Sequence, residues 1–101
     1  MIKKQFLKSK PVCKVTFILA AEAATDAEKV ELVGDFSKWN EAPIKMKKMK
    51  SGEFKTTVDL EKGQNYEFRY LIDGNKWAND WEADAYVPNM MTFEENSVVS
   101  L

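Results

Sequence analysis

Two tryptophans of this chain stand beside turn-forming residues, in Val33-Gly34-Asp35-Phe36-Ser37-Lys38-Trp39-Asn40 and again in Asp73-Gly74-Asn75-Lys76-Trp77. A tryptophan among Asp, Ser, Lys and Asn belongs at a loop or strand end, where its ring is partly open to a partner. Two such rings could make a flat platform for sugars or bases. A glucose ring has an apolar face of C–H groups and a rim of hydroxyls. Holding one takes an aromatic plane for the face and fixed amide, guanidinium or ammonium donors for the rim. Trp39, Trp77, Arg69 and Asn96 supply those types. Pattern alone leaves core and ligand-facing readings open for each tryptophan.

Other chemistry is harder to assemble. The sequence has no histidine, which removes the usual general base and the commonest metal ligand. Its single cysteine, Cys13, cannot form an internal disulfide or a thiolate metal site, and its place in an alternating apolar run marks it as a small core residue. Carboxylates cluster at Asp80, Glu82 and Asp84 and at Glu94 and Glu95, and glycosidases use such pairs. Here they lie in polar stretches and read as solvated loop. Asp73 to Asp84 fails as a calcium loop, because Trp77 occupies a ligand position and the glycine such a loop needs is absent. No metal, cofactor or catalytic residue is expected.

The elements that must position the aromatic set are strands. The 101 residues suffice for one domain with one core, and 15 basic residues against 16 acidic give no bias toward nucleic acid. Apolar residues recur with period two in Cys13–Leu19, Val30–Leu32, Ile44–Met49, Phe54–Leu60 and Tyr66–Ile72, and Ser97–Leu101 forms a last short strand. Turn residues separate the runs at Asp35, Pro43, Ser51-Gly52, Lys62-Gly63, Asp73-Gly74 and Pro88-Asn89. The expectation is an all-β, immunoglobulin-like sandwich of about seven strands, with residues 11–101 as the domain and 1–10 as a basic, loosely held lead-in. Ala20–Lys29 reads equally as a helical turn or a loop. Lys45, Lys47, Lys48 and Lys50 read as the solvent face of a strand. No run is long enough to span a bilayer, and the short Val15–Ala21 stretch is taken as strand, so a cytoplasmic protein without membrane contact is expected.

With these motifs in order, the sequence resembles carbohydrate-binding module family 48. This is the isoamylase N-terminal or early set domain, which includes the glycogen-binding domain of the AMP-activated protein kinase β subunit. The resemblance rests on the first Trp motif, on Tyr66-Glu67-Phe68-Arg69-Tyr70-Leu71-Ile72-Asp73-Gly74-Asn75-Lys76-Trp77, and on Asn96-Ser97-Val98-Val99. It implies a β-sandwich that binds α-1,4-linked glucan such as glycogen, starch or maltooligosaccharide without catalysis. It matches Trp39 and Trp77 to two stacking tryptophans, Arg69 to a hydroxyl-binding basic residue that is often lysine, and Asn96 to a hydrogen-bonding asparagine. Lys38 and Asn75 stand at the edges of that site.

The pattern also departs from the family. Lys76 lengthens the turn before Trp77, Trp81 stands where proline is common, and Met90-Met91-Thr92-Phe93-Glu94-Glu95 replaces a glycine-rich approach to the last strand. Met90, Met91 and Phe93 read as packing residues or as an apolar patch for a partner. The alternative function is a protein-interaction module of a glucan-metabolising or regulatory complex, with a glucan-metabolising enzyme or regulatory subunit as partner and a vestigial sugar site. Single-stranded nucleic acid on the same aromatics is the weakest of the three readings.

Overall fold

In a computed structural model, which describes residues 1–89 and 94–101, the chain forms ten strands among the described residues. They are β1 Ile2–Phe6, β2 Val12–Leu19, β3 Val30–Gly34, β4 Ile44–Lys45, β5 Lys47–Lys48, β6 Phe54–Glu61, β7 Asn65–Ile72, β8 Lys76–Ala78, β9 Ala85–Asn89 and β10 Glu94–Ser100. One sheet runs β1-β2-β6-β5. The other runs β4-β3-β7-β10-β9, with β8 added to β7, and every pairing is antiparallel. The all-β sandwich expected from the alternating pattern is therefore the fold.

The extra strands have local causes. Ile44–Met49, expected as one strand, divides around Met46: β4 pairs with β3 in one sheet and β5 with β6 in the other. Met46 is 3 % exposed, and its amide donates to the Val30 carbonyl at 2.9 Å, so the chain crosses between layers there. Residues 2–6 of the expected lead-in form the edge strand β1, in register from Ile2↔Phe17 to Phe6↔Cys13. Pro88, expected in a turn, lies inside β9. Among the described residues that strand is the edge of its sheet, paired with β10, and an edge is where a strand tolerates proline. Ala20–Lys29 resolves as a short 3-10 turn over Ala21–Ala24 within a loop. Met90, Met91 and Phe93 lie outside the described residues.

The core follows from the two-residue period. Val15, Phe17 and Leu19 of β2 face Phe54 and Leu60 of β6, and across the sandwich stand Leu32, Phe68 and Tyr70, all buried. Cys13 is buried among them, as expected. Phe17 meets Phe68 edge-on at 4.9 Å between centroids, and Phe68 meets Tyr70 likewise at 5.7 Å. Of the lysines expected on a solvent face, Lys45, Lys47, Lys48 and Lys50 are exposed, and Lys48 reaches back to donate to the Ala27 carbonyl at 3.1 Å.

One polar cluster lies inside this apolar packing. Asp80, read from sequence as part of a solvated loop, is 1 % exposed. Its Oδ2 accepts from the Tyr70 hydroxyl at 2.7 Å and from the Met1 ammonium at 2.7 Å, while its Oδ1 accepts from the Glu82 amide at 2.7 Å. Its own amide donates to Ser97 Oγ at 3.0 Å. The correction has a plain reason: Tyr70 carries its hydroxyl into the core and needs a buried acceptor, which β8 and the loop after it supply. Asp84 behaves differently. Burial works against its ionised form, but the bond and charge of Lys4 at 2.7 Å and the amide of Ser100 outweigh it and hold the carboxyl below its ordinary 3.8.

Burial, and then the charge and hydrogen bond of Asp80, push the Tyr70 phenol well above 10.0. An unfolded tyrosine gives up its proton near that value while the folded one keeps it, so the unfolded state binds fewer protons. The contribution is complete below about pH 10 and declines as pH rises further. Urea midpoints measured between about pH 9 and pH 11 should fall, and more gently for Tyr70→Phe than for the native chain. Parallel declines in the two proteins would refute the assignment.

Candidate functional site

Along β7, Phe68 and Tyr70 point into the core, so alternation turns Glu67, Arg69 and Leu71 to the outer face of the six-stranded sheet. Registers extend that face. Glu31 and Val33 lie across from Leu71 and Arg69 on β3, Trp77 lies across from Leu71 on β8, and Val98 lies across from Glu67 on β10. Asn96 and Glu94 follow Val98 at steps of two on β10, and Asn89 faces Glu94 from β9.

At one end of the face, β3 runs into two 3-10 turns, Asp35–Ser37 and Trp39–Glu41. Lys38, between them, and Trp39, which opens the second, both take positive φ, 51° and 55°. Such torsions strain a bulky side chain and are held only by neighbouring structure. Ser37 supplies part of the hold. Its Oγ accepts from the Gly34 amide at 3.0 Å and lies 3.0 Å and 3.1 Å from the Gly34 and Trp39 carbonyls, to one of which it can donate. Asp35 supplies the rest: Oδ1 accepts from Trp39 Nε1 at 3.0 Å and Oδ2 from the Glu67 amide at 2.8 Å, tying the indole to β7.

Gly34 allows that approach. A Cβ there would lie 2.5 Å from the Glu67 carbonyl oxygen and 2.8 Å from Phe68 Cβ. Gly34→Ala is expected to cost about 1–3 kcal/mol by overpacking and to push Asp35 off β7. A urea midpoint within error of the native value would contradict this.

Beside Trp39 the face opens into a depression of about 390 Å³ lined by Asp35, Trp39, Glu67, Asn89 and Asn96. Asn96 Nδ2 donates to Glu67 Oε1 at 3.1 Å, and Asn96 Oδ1 accepts from Asn89 Nδ2 at 3.2 Å. Two amides and a carboxylate are thus locked beside a half-buried indole.

Further along, the Arg69 guanidinium lies 5.3 Å from the centre of the Trp77 ring, within cation–π range. One Arg69 terminal nitrogen reaches Glu94 Oε1 at 3.4 Å, while its buried Nε has no hydrogen-bond partner among the described residues. Arg69 was expected on the outer sheet surface and is on that face, but covered, at 4 % exposure. Glu67, on the depression, and Leu71, across from Trp77, are four positions apart on β7, about 13 Å between backbone positions, with Arg69 midway and its guanidinium against the Trp77 ring.

Four of the six residues singled out in the sequence, Trp39, Arg69, Trp77 and Asn96, thus lie on one face. Lys38 is exposed on the turn beside Trp39 and does not line the depression. Asn75 lies in the β7–β8 turn, where it lines a separate depression with residues of the Ala21–Ala24 turn. Trp81, 65 % exposed, lines a third hollow with Ile18, Leu19 and Ala20. Asp35, Glu67 and Asn89 were not singled out. Glu67 was within reach of the reading, since it shares the parity of Arg69 on a strand whose other parity is aromatic.

Residues 22–98 match the family model described as the glycogen recognition site of AMP-activated protein kinase. The chain belongs to that family. No curated protein matches it. Membership in the glycogen-recognition family makes this a carbohydrate-recognition domain by descent, and agrees with the resemblance carried by the two Trp motifs and Asn96. The matched span contains both tryptophan turns, all of β7 and β8, and Asn96. Among the described residues no helix is long and apolar enough to cross a membrane, and no group of three or more His, Cys, Asp or Glu could hold a metal ion.

Proposed function

We propose that the chain binds α-1,4-linked glucan (glycogen, starch or a maltooligosaccharide) without catalysis, on the outer face of the six-stranded sheet. The observation that carries this reading is the Trp39 depression, where an indole held by Asp35 stands beside the locked amides of Asn96 and Asn89. Trp39 offers a plane to the C–H face of one glucose unit, and Asn96 and Asn89 offer bonds to its hydroxyls. Trp77, across from Leu71 and further along β7, takes another unit of the same chain. Arg69 is the donor beneath Trp77, Lys38 lies at the rim, and Asn75 stands furthest from the face. Family membership supports the carbohydrate class. The domain would bring a glucan-metabolising enzyme or regulatory subunit to its polymer, in the cytoplasm.

A shallow face of this kind gives weak binding, with a dissociation constant on the order of 10–1000 μM for a short oligosaccharide. The test is a titration with maltoheptaose, followed by tryptophan fluorescence and by calorimetry. Saturable binding in that range is expected. A folded protein that shows none at millimolar sugar would end the proposal. Reducing sugar released from glucan by the pure protein would contradict the non-catalytic part.

A second reading draws on the cover over Arg69. A guanidinium at 4 % exposure cannot reach a hydroxyl until Trp77 moves, as would hold for a vestigial sugar site on a protein-interaction module. The same titration decides between the two.

A further inference from the structure

The charge inside the Trp39 depression is negative: among the described residues that line it, two are carboxylates and none is a cation. The two carboxylates are Asp35 and Glu67. Both oxygens of Asp35 are fixed, one by the Trp39 indole and one by the Glu67 amide. Glu67 uses Oε1 to accept from Asn96, and its Oε2 accepts no bond among the described residues. The cations nearby do not offset this charge inside the hollow: Arg69 is covered by Trp77 and engaged by Glu94, and Lys38 stands outside the lining.

We infer that this face selects uncharged glucan and turns away chains bearing phosphate esters, with Glu67 as the residue that sets the preference. The inference rests on the glucan reading and adds a ligand class to it. An ionised carboxylate is an acceptor only, so the unused Glu67 oxygen suits a sugar hydroxyl, which brings its own hydrogen. A phosphate ester carries nearly two negative charges at neutral pH and three acceptor oxygens. Against Asp35 and Glu67 it would find like charge and no donor of positive charge. The Asn96 and Asn89 amides do not cancel that repulsion: they are neutral, and each NH2 has already given one of its two hydrogens, Asn96 to Glu67 and Asn89 to Asn96. At a half-open surface the repulsion is moderate and is weakened by salt.

The test is calorimetry on the intact chain with three ligands: maltoheptaose, maltoheptaose carrying a 6-phosphate ester on glucosyl units, and its 6-O-methyl counterpart as an uncharged control for bulk. At low salt the phosphorylated ligand should bind about fivefold more weakly than maltoheptaose or worse, while the methylated ligand stays close to maltoheptaose. Raising the salt should narrow the gap. In Glu67→Gln, which keeps the acceptor for Asn96, the ratio of the two affinities should shrink to about twofold.

Phosphorylated ligand that binds as well as maltoheptaose would overturn the inference while leaving the glucan reading intact. So would an equal loss with the methylated ligand, or a gap that salt and Glu67→Gln leave unchanged. Should Glu67→Gln fold poorly, the salt series on the native chain decides alone. Absence of maltoheptaose binding would bring down both the glucan reading and this inference.

Discussion

Asp80→Ala is expected to lower the unfolding free energy by about 3 kcal/mol, a large fraction of what a domain of this size possesses. The substitution would leave the buried Tyr70 hydroxyl and the Glu82 amide without an acceptor, and a buried donor left unpaired costs about 1–3 kcal/mol. Taking one partner out of a buried charged network costs more than the network contributes as a whole, because the remaining groups stay desolvated. The companion variants test that asymmetry. Tyr70→Phe should cost less, about 1 kcal/mol, since Asp80 keeps its bonds to the Glu82 amide and the Met1 ammonium. In the double variant Tyr70→Phe/Asp80→Ala the losses should not add, with a coupling of about 1–2 kcal/mol.

The cluster also bears on the binding face. Ser97 Oγ, which accepts from the Asp80 amide, donates to Asn79 Oδ1 at 2.9 Å, and Asn79 Nδ2 donates to the Glu95 carbonyl at 2.8 Å. These bonds fasten the loop after β8 to β10 on both sides of Asn96. Urea titrations of the four proteins give the energies. A native midpoint for Asp80→Ala would show that water replaces the carboxylate at no cost.

Asp80 also marks where the sequence stops being legible. Strands with a clean two-residue period announced themselves, because each has one face in the core: β2, β6 and β7 are set by Val15 and Phe17, by Phe54 and Leu60, and by Phe68 and Tyr70. Burial that depends on closure between distant segments left no such trace. Asp80 sits in a run of Asp, Trp, Glu, Ala and Asp, and partners from other segments, the Tyr70 hydroxyl ten residues earlier with Met1 and Ser97, explain why it is inside. The signal was the buried tyrosine itself, which requires an acceptor but does not name one. β1 escaped for a similar reason: Ile2, Lys4 and Phe6 alternate weakly, and the strand exists because β2 offers it an edge.

On the proposed binding face, the residues with conspicuous types (Trp39, Trp77, Arg69 and Asn96) were readable. Asp35 and Glu67 were not, because their parts follow from the close approach of β3 to β7 at Gly34. Lys76 falls within β8, paired with Ile72, so the lengthened turn still places Trp77 across from Leu71 on the outer face.

Trp77→Ala and Trp39→Ala should each weaken maltoheptaose binding by about tenfold or more, equivalent to about 1.4 kcal/mol, and together should abolish measurable binding. Each ring is the apolar plane of its half of the face, and aromatic anchors carry more than their share of the energy in an interface. The two losses differ in origin. Trp77→Ala strips the cover from Arg69, so a guanidinium that was 4 % exposed becomes free to meet hydroxyls, and part of the lost stacking is recovered. Removing the cation–π contact would also lower stability by about 0.5–1 kcal/mol.

Trp39→Ala offers no such compensation. It leaves Asp35 Oδ1 without its indole donor and puts an alanine at φ 55°, where the backbone strain remains and nothing is gained from it. The loss at Trp39 should therefore be the greater, and Trp39→Phe, which keeps a plane but not the N–H, should fall between native and alanine. Calorimetry with far-UV circular dichroism on the same samples separates lost affinity from lost fold. Binding unchanged in both alanine variants would remove the tryptophans from the site. A greater loss at Trp77 than at Trp39 would mean that Arg69 contributes nothing once uncovered, and that its part is to hold the ring above it.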